Sequence, residues 1–599
     1  MCGIIGICGT STVRERLVQG LLRLEYRGYD SAGIAVLDGG CLRRARAEGK
    51  IAALQDELEA NPIDGESGIA HTRWATHGAP TTRNAHPHRA GRVAVVHNGI
   101  VENYLELKAD MPDRTYTSDT DTEVVAHLID AALEAGHSPR EAFSSSLKKL
   151  RGAYALGVVV DGHAEEMFIA RAGSPLAVGV GDGETYLGSD ALALADLTRE
   201  LVYLEEGDWA VLTPDGFEIF DRDDTPVTRP VTVLEGGAQS ATKGGFDHYM
   251  LKEIHQQPDT LRRTLSHYLG VDAPEPHLDF SGITRVLMVA CGTASYAADV
   301  AAYAFEREAR LAAETDIASE FRYRDPVLDP ATLFVAVSQS GETADTLAAL
   351  RHAKAQGLRT LALVNVSTST MAREADVALP ILAGPEIGVA STKAFTSQVA
   401  ALTSLAVLAG HQRGHLSDAD AKARVNELNS LPALVEATLS AEPDLRALAR
   451  AVSSASSAFF LGRGALAPVA LEGALKLKEI SYIHAEGYPA GELKHGPIAL
   501  IESGTPVIVL APSDVLFEKT VSNLQEVASR GAEVVLVTDR AGSEHSTGAA
   551  HTVVVPAAGD LAAPLVHAVA VQLLSYHAAV ALGRDVDQPR NLAKSVTVE

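Results

Sequence analysis

The second residue of the chain is a cysteine, which can carry two reactive groups once the initiator methionine is removed. Cys2 then has both a thiol and a free α-amine. The thiolate is a strong nucleophile, and the amine, with a pKa of about 8, can act as its base directly or through water. Gly3 leaves room beside this centre, and residues 4–5 begin an apolar run. A cysteine after methionine also occurs by chance, so the prediction of a nucleophile depends on the clusters that follow.

Three polar clusters interrupt short β-like runs in the N-terminal part of the chain. They are residues 27–33 (RGYDSAG), 71–78 (HTRWATHG) and 97–103 (HNGIVEN), and the third directly follows an apolar run at 93–96. Polar residues at the end of a buried strand are a common place for a site on a rigid scaffold. Taken singly, each cluster also fits a turn, and Asn98-Gly99 is a frequent hairpin dipeptide.

Together with Cys2, these clusters resemble the glutaminase domain of the N-terminal-nucleophile amidotransferases. The matching stretches are residues 2–6, 24–33, 69–78 and 97–99. The resemblance implies a four-layer αββα domain over residues 2–235, in which Cys2 attacks the carboxamide carbon of glutamine. The β-like runs at 34–37, 93–96, 156–160 and 177–180, with a helical pattern at 123–135, predict α/β layers with mainly antiparallel strands.

The resemblance also assigns roles around the nucleophile. The Asn98 amide and the Gly99 N–H would stabilise the oxyanion, where one side-chain donor contributes about 3–4 kcal/mol. Arg73 would bind the α-carboxylate of glutamine through its planar fork, and Asp121 would bind the α-ammonium. The other residues expected to contact glutamine are Trp74, Thr76 and His77.

From about residue 283 the pattern changes to apolar strands that alternate with helices. Strands are predicted at 285–290, 333–337 and 361–364, and the pattern recurs at 458–462, 507–510 and 534–537 with an offset of about 170 residues. This predicts two copies of a doubly wound parallel sheet. The predicted segments after the glutaminase domain are a glycine-rich linker (236–247), a first sheet domain with an N-terminal helical region (248–415), a helical connector (416–455), a second sheet domain (456–585) and a tail (586–599).

The segment 338–343 (SQSGET) lies between a predicted strand and a predicted helix. Hydroxyls, a glycine and the first N–H groups of a helix form an anion site, although an ordinary serine cap is equally compatible. The second copy has APSD at 511–514, so one phosphate site is expected for the pair. The loop, with Thr392-Lys393, resembles the sugar-isomerase (SIS) domain family. The phosphosugar contacts that this resemblance implies are Thr293, Ser338, Gln339, Ser340, Thr343, Val389 and Ser391.

One position departs from the pattern of that family. Ala294 stands where many relatives have serine directly after Cys-Gly-Thr, and Ser295 follows one residue later. A direct hydroxyl contact to the phosphate is expected to be absent there. Thr293 and the loop 338–343 would then carry more of the binding.

Glu472, Lys476 and Glu479 share one face of a predicted helix. In isolation they fit an exposed stripe of ion pairs, but the apolar flanks predict a buried helix, where unpaired charges are costly. Moving a proton between C1 and C2 of a sugar suits a carboxylate beside a cation. By resemblance, Glu479 is the base, Lys476 stabilises charge on the oxygens, and Lys594 forms an imine. The resemblance also implies that His495 opens the ring and that it comes from a neighbouring subunit.

The whole chain resembles the aminotransferase family that converts fructose 6-phosphate and glutamine to glucosamine 6-phosphate and glutamate. Trp74, Ala593 and Val596 are expected to line a route for ammonia, and a homodimer is expected. No metal, nucleotide or pyridoxal cofactor is implied. Two alternatives remain: an amidotransferase with another phosphosugar acceptor, and a phosphosugar-sensing regulator with a vestigial glutaminase. The intact set of predicted catalytic residues argues against the regulator.

Composition limits the function classes further. A chain of 599 residues predicts two to four domains, and a net charge of −26 argues against a nucleic-acid partner. The four cysteines have neither metal-ligand spacing nor a dense disulfide pattern, so a reducing, cytoplasmic environment is expected. The apolar stretch 565–582 contains two histidines, a glutamine and a serine, and is predicted to be a buried helix and not a membrane span.

Overall fold

The computed structural model describes residues 2–233, 242–270 and 278–597, which divide into two compact units. The first unit contains the described residues up to 233 together with 595–597, and the second contains residues 242–594. Residues 236–241 of the predicted linker at 236–247 lie outside the described residues.

The first unit combines many short strands with a few helices. Its strands are β1 (Gly3–Cys8), β2 (Ser31–Asp38), β3 (Cys41–Glu48), β4 (Ser67–Arg73), β5 (His88–Ala90), β6 (Val93–Val101), β7 (Gly152–Val160), β8 (Met167–Ala172), β9 (Ala177–Val180), β10 (Thr185–Gly188), β11 (Glu200–Tyr203), β12 (Trp209–Thr213), β13 (Gly216–Phe220), β14 (Pro226–Val227) and β15 (Val231–Val233). Its helices are α1 (Arg14–Leu24), α2 (Ile51–Ala60), α3 (Tyr104–Ala109), α4 (Glu123–Glu134), α5 (Pro139–Leu147) and α6 (Ala191–Leu194).

These strands form two antiparallel sheets that pack face to face. The sheet orders are β15-β11-β9-β10-β1-β4-β2-β3 and β14-β13-β12-β8-β7-β6-β5. Ile4 and Val96 belong to the core between the sheets, whereas the next residue of β1, Ile5, belongs to the core under α1 and α2. Phe143 of α5 packs with Val95 on the other outer face. This alternation follows from the two-residue period of strands and gives the predicted αββα layers.

The second unit alternates strands and helices. Its strands are β16 (Arg285–Ala290), β17 (Ala312–Ile317), β18 (Thr332–Ser338), β19 (Arg359–Val364), β20 (Val377–Pro380), β21 (Ser457–Gly462), β22 (His484–Pro489), β23 (Pro506–Leu510), β24 (Glu533–Thr538) and β25 (His551–Val554). Its helices are α7 (Tyr249–His255), α8 (Gln257–Leu269), α9 (Thr293–Ala304), α10 (Ala318–Arg324), α11 (Ala344–Ala355), α12 (Thr370–Glu374), α13 (Lys393–Gln412), α14 (Asp418–Asn429), α15 (Leu431–Leu439), α16 (Glu442–Ser453), α17 (Leu466–Ser481), α18 (Phe517–Ala528), α19 (Arg540–His545) and α20 (Ala563–Ala581).

The two sheets of the second unit are parallel and have the same topology. Their orders are β17-β16-β18-β19-β20 and β22-β21-β23-β24-β25, so the duplication predicted from the sequence is confirmed. One hydrophobic core spans both copies and contains residues of α9, α13, α17 and α20. This shared core places the helices that follow equivalent strands, α9 and α17, against each other.

Helix α20 is long and apolar enough to cross a membrane by length and composition alone. However, 94% of its apolar window is buried inside the protein. His567, Gln572 and Ser575 are among its buried side chains. The helix is therefore part of the core of the second unit, as predicted.

Candidate active sites

Neighbouring strands of the first unit hold Cys2 beside Trp74. Strand β1 pairs with β4 so that Gly3 lies opposite Thr72, which brings the start of β1 to the end of β4. The Trp74 N–H donates to Cys2 Sγ at 3.3 Å, and the Trp74 carbonyl lies 3.5 Å from the sulfur. Burial raises the pKa of the Cys2 thiol, while the Trp74 hydrogen bond and the Arg73 charge oppose this rise. A base is therefore needed to form the thiolate at neutral pH.

Asn98 and Gly99 lie inside strand β6 and not in a hairpin turn, so the turn alternative is wrong. They pair with Ala155 and Tyr154 of β7. The Asn98 amide nitrogen donates to the Cys2 carbonyl at 3.1 Å, so the amide faces the terminus. Gly99 has φ +133°, and a Cβ there would lie 1.9 Å from the Ala153 carbonyl oxygen. Only glycine fits this close approach of the two strands.

Arg73 is buried and donates hydrogen bonds to the loop that follows it. Its guanidinium contacts the carbonyl oxygens of His77, Gly78 (3.1 Å) and Ala79 (3.3 Å). Asp121 is also buried, and its carboxylate accepts the Val101 N–H at 2.7 Å. One cavity brings together the predicted glutamine-site residues Cys2, Arg73, Trp74, Thr76, His77, Gly99 and Asp121.

In the second unit, the side-chain hydroxyl groups of the loop after β18 make hydrogen bonds within the same loop. The Ser338 hydroxyl accepts the Gly341 N–H at 3.0 Å and lies 3.2 Å from the Thr343 hydroxyl. The Ser340 hydroxyl accepts the Glu342 N–H at 3.2 Å. Thr343 is the N-cap of α11, but its side chain makes no capping hydrogen bond. A helix cap by Thr343 therefore does not explain this cluster of hydroxyls.

On the predicted charged face of α17, Glu472 and Lys476 are buried and Glu479 is half-buried, so the alternative of an exposed stripe is wrong. Lys476 Nζ lies 2.7 Å from Glu479 Oε2, 3.5 Å from Glu472 Oε1 and 3.0 Å from the Thr293 hydroxyl. Thr293, at the start of α9, donates in turn to Glu472 at 3.0 Å. Burial raises the pKa of Glu472 to about 8. Burial lowers the pKa of Lys476, but the carboxylates of Glu472 and Glu479 outweigh it and raise this pKa overall.

Lys594 is buried near the end of the chain and contacts a glutamate that the sequence analysis did not identify. Its Nζ lies 2.5 Å from Glu386 Oε2 and 2.8 Å from the Gly388 carbonyl oxygen, and only 4% of its side chain is exposed. Glu386 also accepts the N–H groups of Thr392 and Ala394, each at 3.0 Å, at the start of α13. Burial raises the pKa of Glu386, but Lys594 and these hydrogen bonds outweigh it and lower the pKa to about 2.

A second buried glutamate supports the same loop and was also missed by the sequence analysis. Glu253 of α7 accepts the Ile387 N–H at 2.5 Å and the Gly388 N–H at 3.3 Å, and burial raises its pKa to about 8. Asp587 accepts the first N–H groups of α7, and its own carbonyl accepts the Val389 N–H at 3.1 Å. Neither glutamate belongs to a polar cluster in the sequence, so no local signal indicated them.

The remaining residues singled out in the sequence do not take part in the contacts described above. His495 is exposed at the end of a short 3₁₀ helix (Ala490–His495). Ala593 is partly buried, and Val596 is 41% exposed. Ala294 packs at the edge of the core, and Ser295 donates its hydroxyl to the Gly292 carbonyl at 2.7 Å. Since the Ser295 hydroxyl is used inside its own helix start, it does not replace the serine missing at 294.

Comparison with known proteins identifies the domains and the relatives. The glutamine amidotransferase domain matches residues 71–196, and the SIS domain matches residues 280–408 and 451–582. The chain is 54% identical to a glutamine–fructose-6-phosphate aminotransferase [isomerizing] of Bradyrhizobium diazoefficiens and 55% identical to one of Zymomonas mobilis, each over 100% of both chains. The solved C-terminal domain of glucosamine-fructose-6-phosphate aminotransferase from Francisella tularensis is 43% identical, with a TM-score of 0.56. It aligns over 58% of this chain and 100% of that one.

The Glu386–Lys594 pair predicts a pH-dependent contribution to stability. The pKa of Glu386 falls from 4.5, the ordinary value, to about 2 in the folded protein. The ionised carboxylate therefore makes its full contribution to the free energy of unfolding above pH 4.5, and this contribution is lost as the pH falls toward 2. Gln resembles the protonated carboxyl in shape. Glu386→Gln should therefore lower the free energy of unfolding by about 3 kcal/mol at pH 7, and the difference should shrink below pH 4.5. Urea denaturation of parent and variant between pH 7 and 3 measures this difference.

Glu436→Gln is the matched control, because Glu436 is exposed on α15. Its unfolding curve should follow the parent at each pH. A Glu386→Gln difference that stays constant down to pH 3 would show that the buried ion pair is not its source.

Proposed function

Because the chain belongs to the glutamine–fructose-6-phosphate aminotransferase (isomerizing) family, we propose that it transfers the amide nitrogen of glutamine to fructose 6-phosphate. The products are glucosamine 6-phosphate and glutamate. Identity of 54% over the full length of a curated relative is the observation that carries this proposal. The direct test is an assay with glutamine and fructose 6-phosphate that detects hexosamine phosphate. Product formed only with another phosphosugar would favour the alternative acceptor.

In the glutaminase half, Cys2 Sγ attacks the amide carbon of glutamine. The thiol proton passes to the α-amine, directly or through water, and then to the departing nitrogen, which leaves as ammonia. Water hydrolyses the resulting thioester to glutamate. The Asn98 amide, already turned toward Cys2, and the Gly99 N–H stabilise the oxyanion. Arg73 and Asp121 bind the α-carboxylate and α-ammonium of glutamine, and Trp74, Thr76 and His77 complete the pocket.

Arg73 must exchange partners to fulfil this role. Its guanidinium donates to three backbone carbonyls of residues 77–79. A bidentate carboxylate is a stronger acceptor than a neutral carbonyl. Glutamine binding therefore competes with the carbonyls of residues 77–79 for the donors of Arg73.

In the isomerase half, the loop 338–343 and Thr293 bind the phosphate, and Val389 and Ser391 contact the sugar. Lys594 attacks C2 of the open-chain ketose and forms an imine with loss of water. Its ammonium must first lose a proton, and ammonia then displaces the lysine from C2. Glu479 removes a proton from C1 and returns one to C2, which leaves an aldehyde at C1 and an amine at C2, and Lys476 stabilises charge on the sugar oxygens. Their contact at 2.7 Å keeps base and cation together.

Two parts of the reaction require groups outside a single site. His495 is exposed in the isolated chain, which fits a role in ring opening at the site of a partner subunit in a homodimer. Ammonia must reach the sugar without protonation, and Trp74, Ala593 and Val596 are the proposed lining of its route.

We propose a cytoplasmic enzyme on the basis of its small polar substrates and free cysteines.

Cys2→Ala should abolish hydrolysis of glutamine and glutamine-dependent synthesis, because the variant lacks the nucleophile. Isomerisation of fructose 6-phosphate should persist within about twofold of the parent, since its residues lie in the other unit. Glutamate release and hexose phosphate isomerisation are measured separately. Cys41→Ala, which removes an exposed cysteine, is the control and should retain both activities. Glutamine use by Cys2→Ala at the parent rate would exclude Cys2 as the nucleophile.

Glu479→Gln should preserve glutamine hydrolysis and stop exchange of the C1/C2 protons of the sugar. The amide keeps the size of the side chain and removes the base, so a loss of at least 100-fold is expected. Proton NMR of fructose 6-phosphate in deuterated water measures the exchange. Glu502→Gln, at an exposed position of the same domain, should behave like the parent. Normal deuterium incorporation by Glu479→Gln would assign the proton transfer to another residue.

Lys594→Arg should lose synthesis, because a guanidinium keeps the charge but does not form an imine at this pH. Borohydride reduction in the presence of fructose 6-phosphate should trap the parent on Lys594 and leave the variant unlabelled. Peptide mass mapping locates the adduct. Lys478→Arg on the exposed side of α17 is the control and should be trapped like the parent. A reduced adduct on another lysine would contradict the assignment.

A further inference from the structure

Both polar atoms of the Asn98 side-chain amide have hydrogen-bond partners. Its nitrogen donates to the Cys2 carbonyl at 3.1 Å, and its oxygen lies 3.1 Å from Nε2 of His71. The same Nε2 lies 3.0 Å from the carbonyl oxygen of His97. His71 lies on β4, which pairs directly with β1, and its side chain is fully buried. None of the roles assigned above uses this histidine.

The two oxygen neighbours determine which nitrogen of His71 carries the proton. A carbonyl oxygen and an amide oxygen can only accept, so Nε2 must donate. Burial lowers the pKa of His71 to about 3, with Arg73 and His97 acting in the same direction, so the ring is neutral at physiological pH. Nδ1 is then without a proton, and within the described residues it has no hydrogen-bond partner. His71 therefore presents a fixed donor to Asn98.

Two further histidines keep the surroundings of this donor neutral. The ring centroid of His86 lies 4.2 Å from that of His71, and His86 Nδ1 lies 3.1 Å from His71 Nε2. His88 packs on His86 and contacts the Thr120 hydroxyl at 3.1 Å. Burial lowers the pKa of both His86 and His88 well below the ordinary value, and Arg73 adds to this. A neutral His86 therefore places no positive charge beside this donor.

We infer that His71 is a positioning residue for the oxyanion hole: its Nε2–H holds the oxygen of the Asn98 amide so that the amide nitrogen stays turned toward Cys2. The inference rests on the proposed glutaminase activity. The two ends of an amide have nearly the same shape, so only hydrogen bonds determine its orientation. Without the His71 donor, the flipped amide would turn an oxygen, and not a donor, toward the developing negative charge.

A role of His71 as the base for the Cys2 thiol does not fit this geometry. Nε2 carries the proton and is directed to two oxygen acceptors, so it cannot accept the thiol proton. Nδ1 has no proton, but the His71 pKa of about 3 makes it too weak a base for a thiol. His71 thus acts through Asn98. Loss of an oxyanion donor lowers kcat by about 100- to 1,000-fold, and a disordered donor should cost a fraction of this, about 10- to 100-fold.

Two polar variants of His71 separate positioning from packing. In His71→Gln the amide nitrogen reaches about the place of Nε2, whereas in His71→Asn the shorter side chain reaches only that of Nδ1. Glutamine hydrolysis by His71→Asn should show a kcat at least 10-fold lower with KM within threefold of the parent. His71→Gln should stay within about threefold of the parent in both constants. In an Asn98→Ala background, His71→Asn should cause no further loss of kcat.

Alkylation of Cys2 by iodoacetamide is the second measurement, because this displacement develops no oxyanion. Its rate should be equal in the parent and both variants, which also shows that the first unit is folded around Cys2. Equal losses of kcat in the Gln and Asn variants, a loss confined to KM, or a full further loss in the Asn98→Ala background would overturn the inference. A parent enzyme that does not hydrolyse glutamine at all would instead refute the proposed function.

Discussion

A lysine ammonium can be buried only if an anion and hydrogen-bond acceptors surround it, and the contact between Lys594 and Glu386 meets this requirement. The same carboxylate accepts two N–H groups at the start of α13, where the helix dipole favours a negative charge. Glu386 therefore binds the helix and the tail at once. Removal of either partner would leave an uncompensated charge inside the protein, so the C-terminal segment up to Lys594 has to be ordered.

The order of the tail depends on more than this ion pair. Asp587 accepts the first N–H groups of α7, and its carbonyl accepts the N–H of Val389. Glu253, from the same helix, accepts the N–H groups of residues 387–388, whose carbonyl at Gly388 binds Lys594. The helix, the loop at 386–391 and the tail thus form one closed set of contacts. Such a set positions a flexible lysine more narrowly than one ion pair does.

The sequence predicted the elements of the fold because their signals are local. Apolar runs bounded by glycine and polar residues identified the three central strands of each parallel sheet, and the repeated pattern identified the duplication. The edge strands β17, β20, β22 and β25 were not predicted. The contacts made by Glu386, Glu253 and His71 were not predictable, since each glutamate is a single acid in an ordinary loop or helix and His71 lies within a strand. Their partners are distant in sequence: Lys594 comes 208 residues after Glu386. The hairpin alternative for Asn98-Gly99 was wrong because tertiary strand pairing overrides the preference of a dipeptide.

The two copies of the parallel-sheet domain differ in the residues that the proposed sugar site would use. The first copy contributes the loop after β18 and Thr293 at the start of α9, while the second contributes the charged face of α17. Thr293 joins the two, because its hydroxyl contacts both Lys476 and Glu472 across the shared core. In the second copy, the segment 511–514 follows β23, and Ser513 donates to Asp539 within its own domain. Since α9 and α17 pack against each other, the Thr293 hydroxyl of the first copy lies against the buried charges of the second. Under the proposed function, this difference between the two copies would let the phosphate loop of one copy and the acid–base pair of the other serve the same sugar.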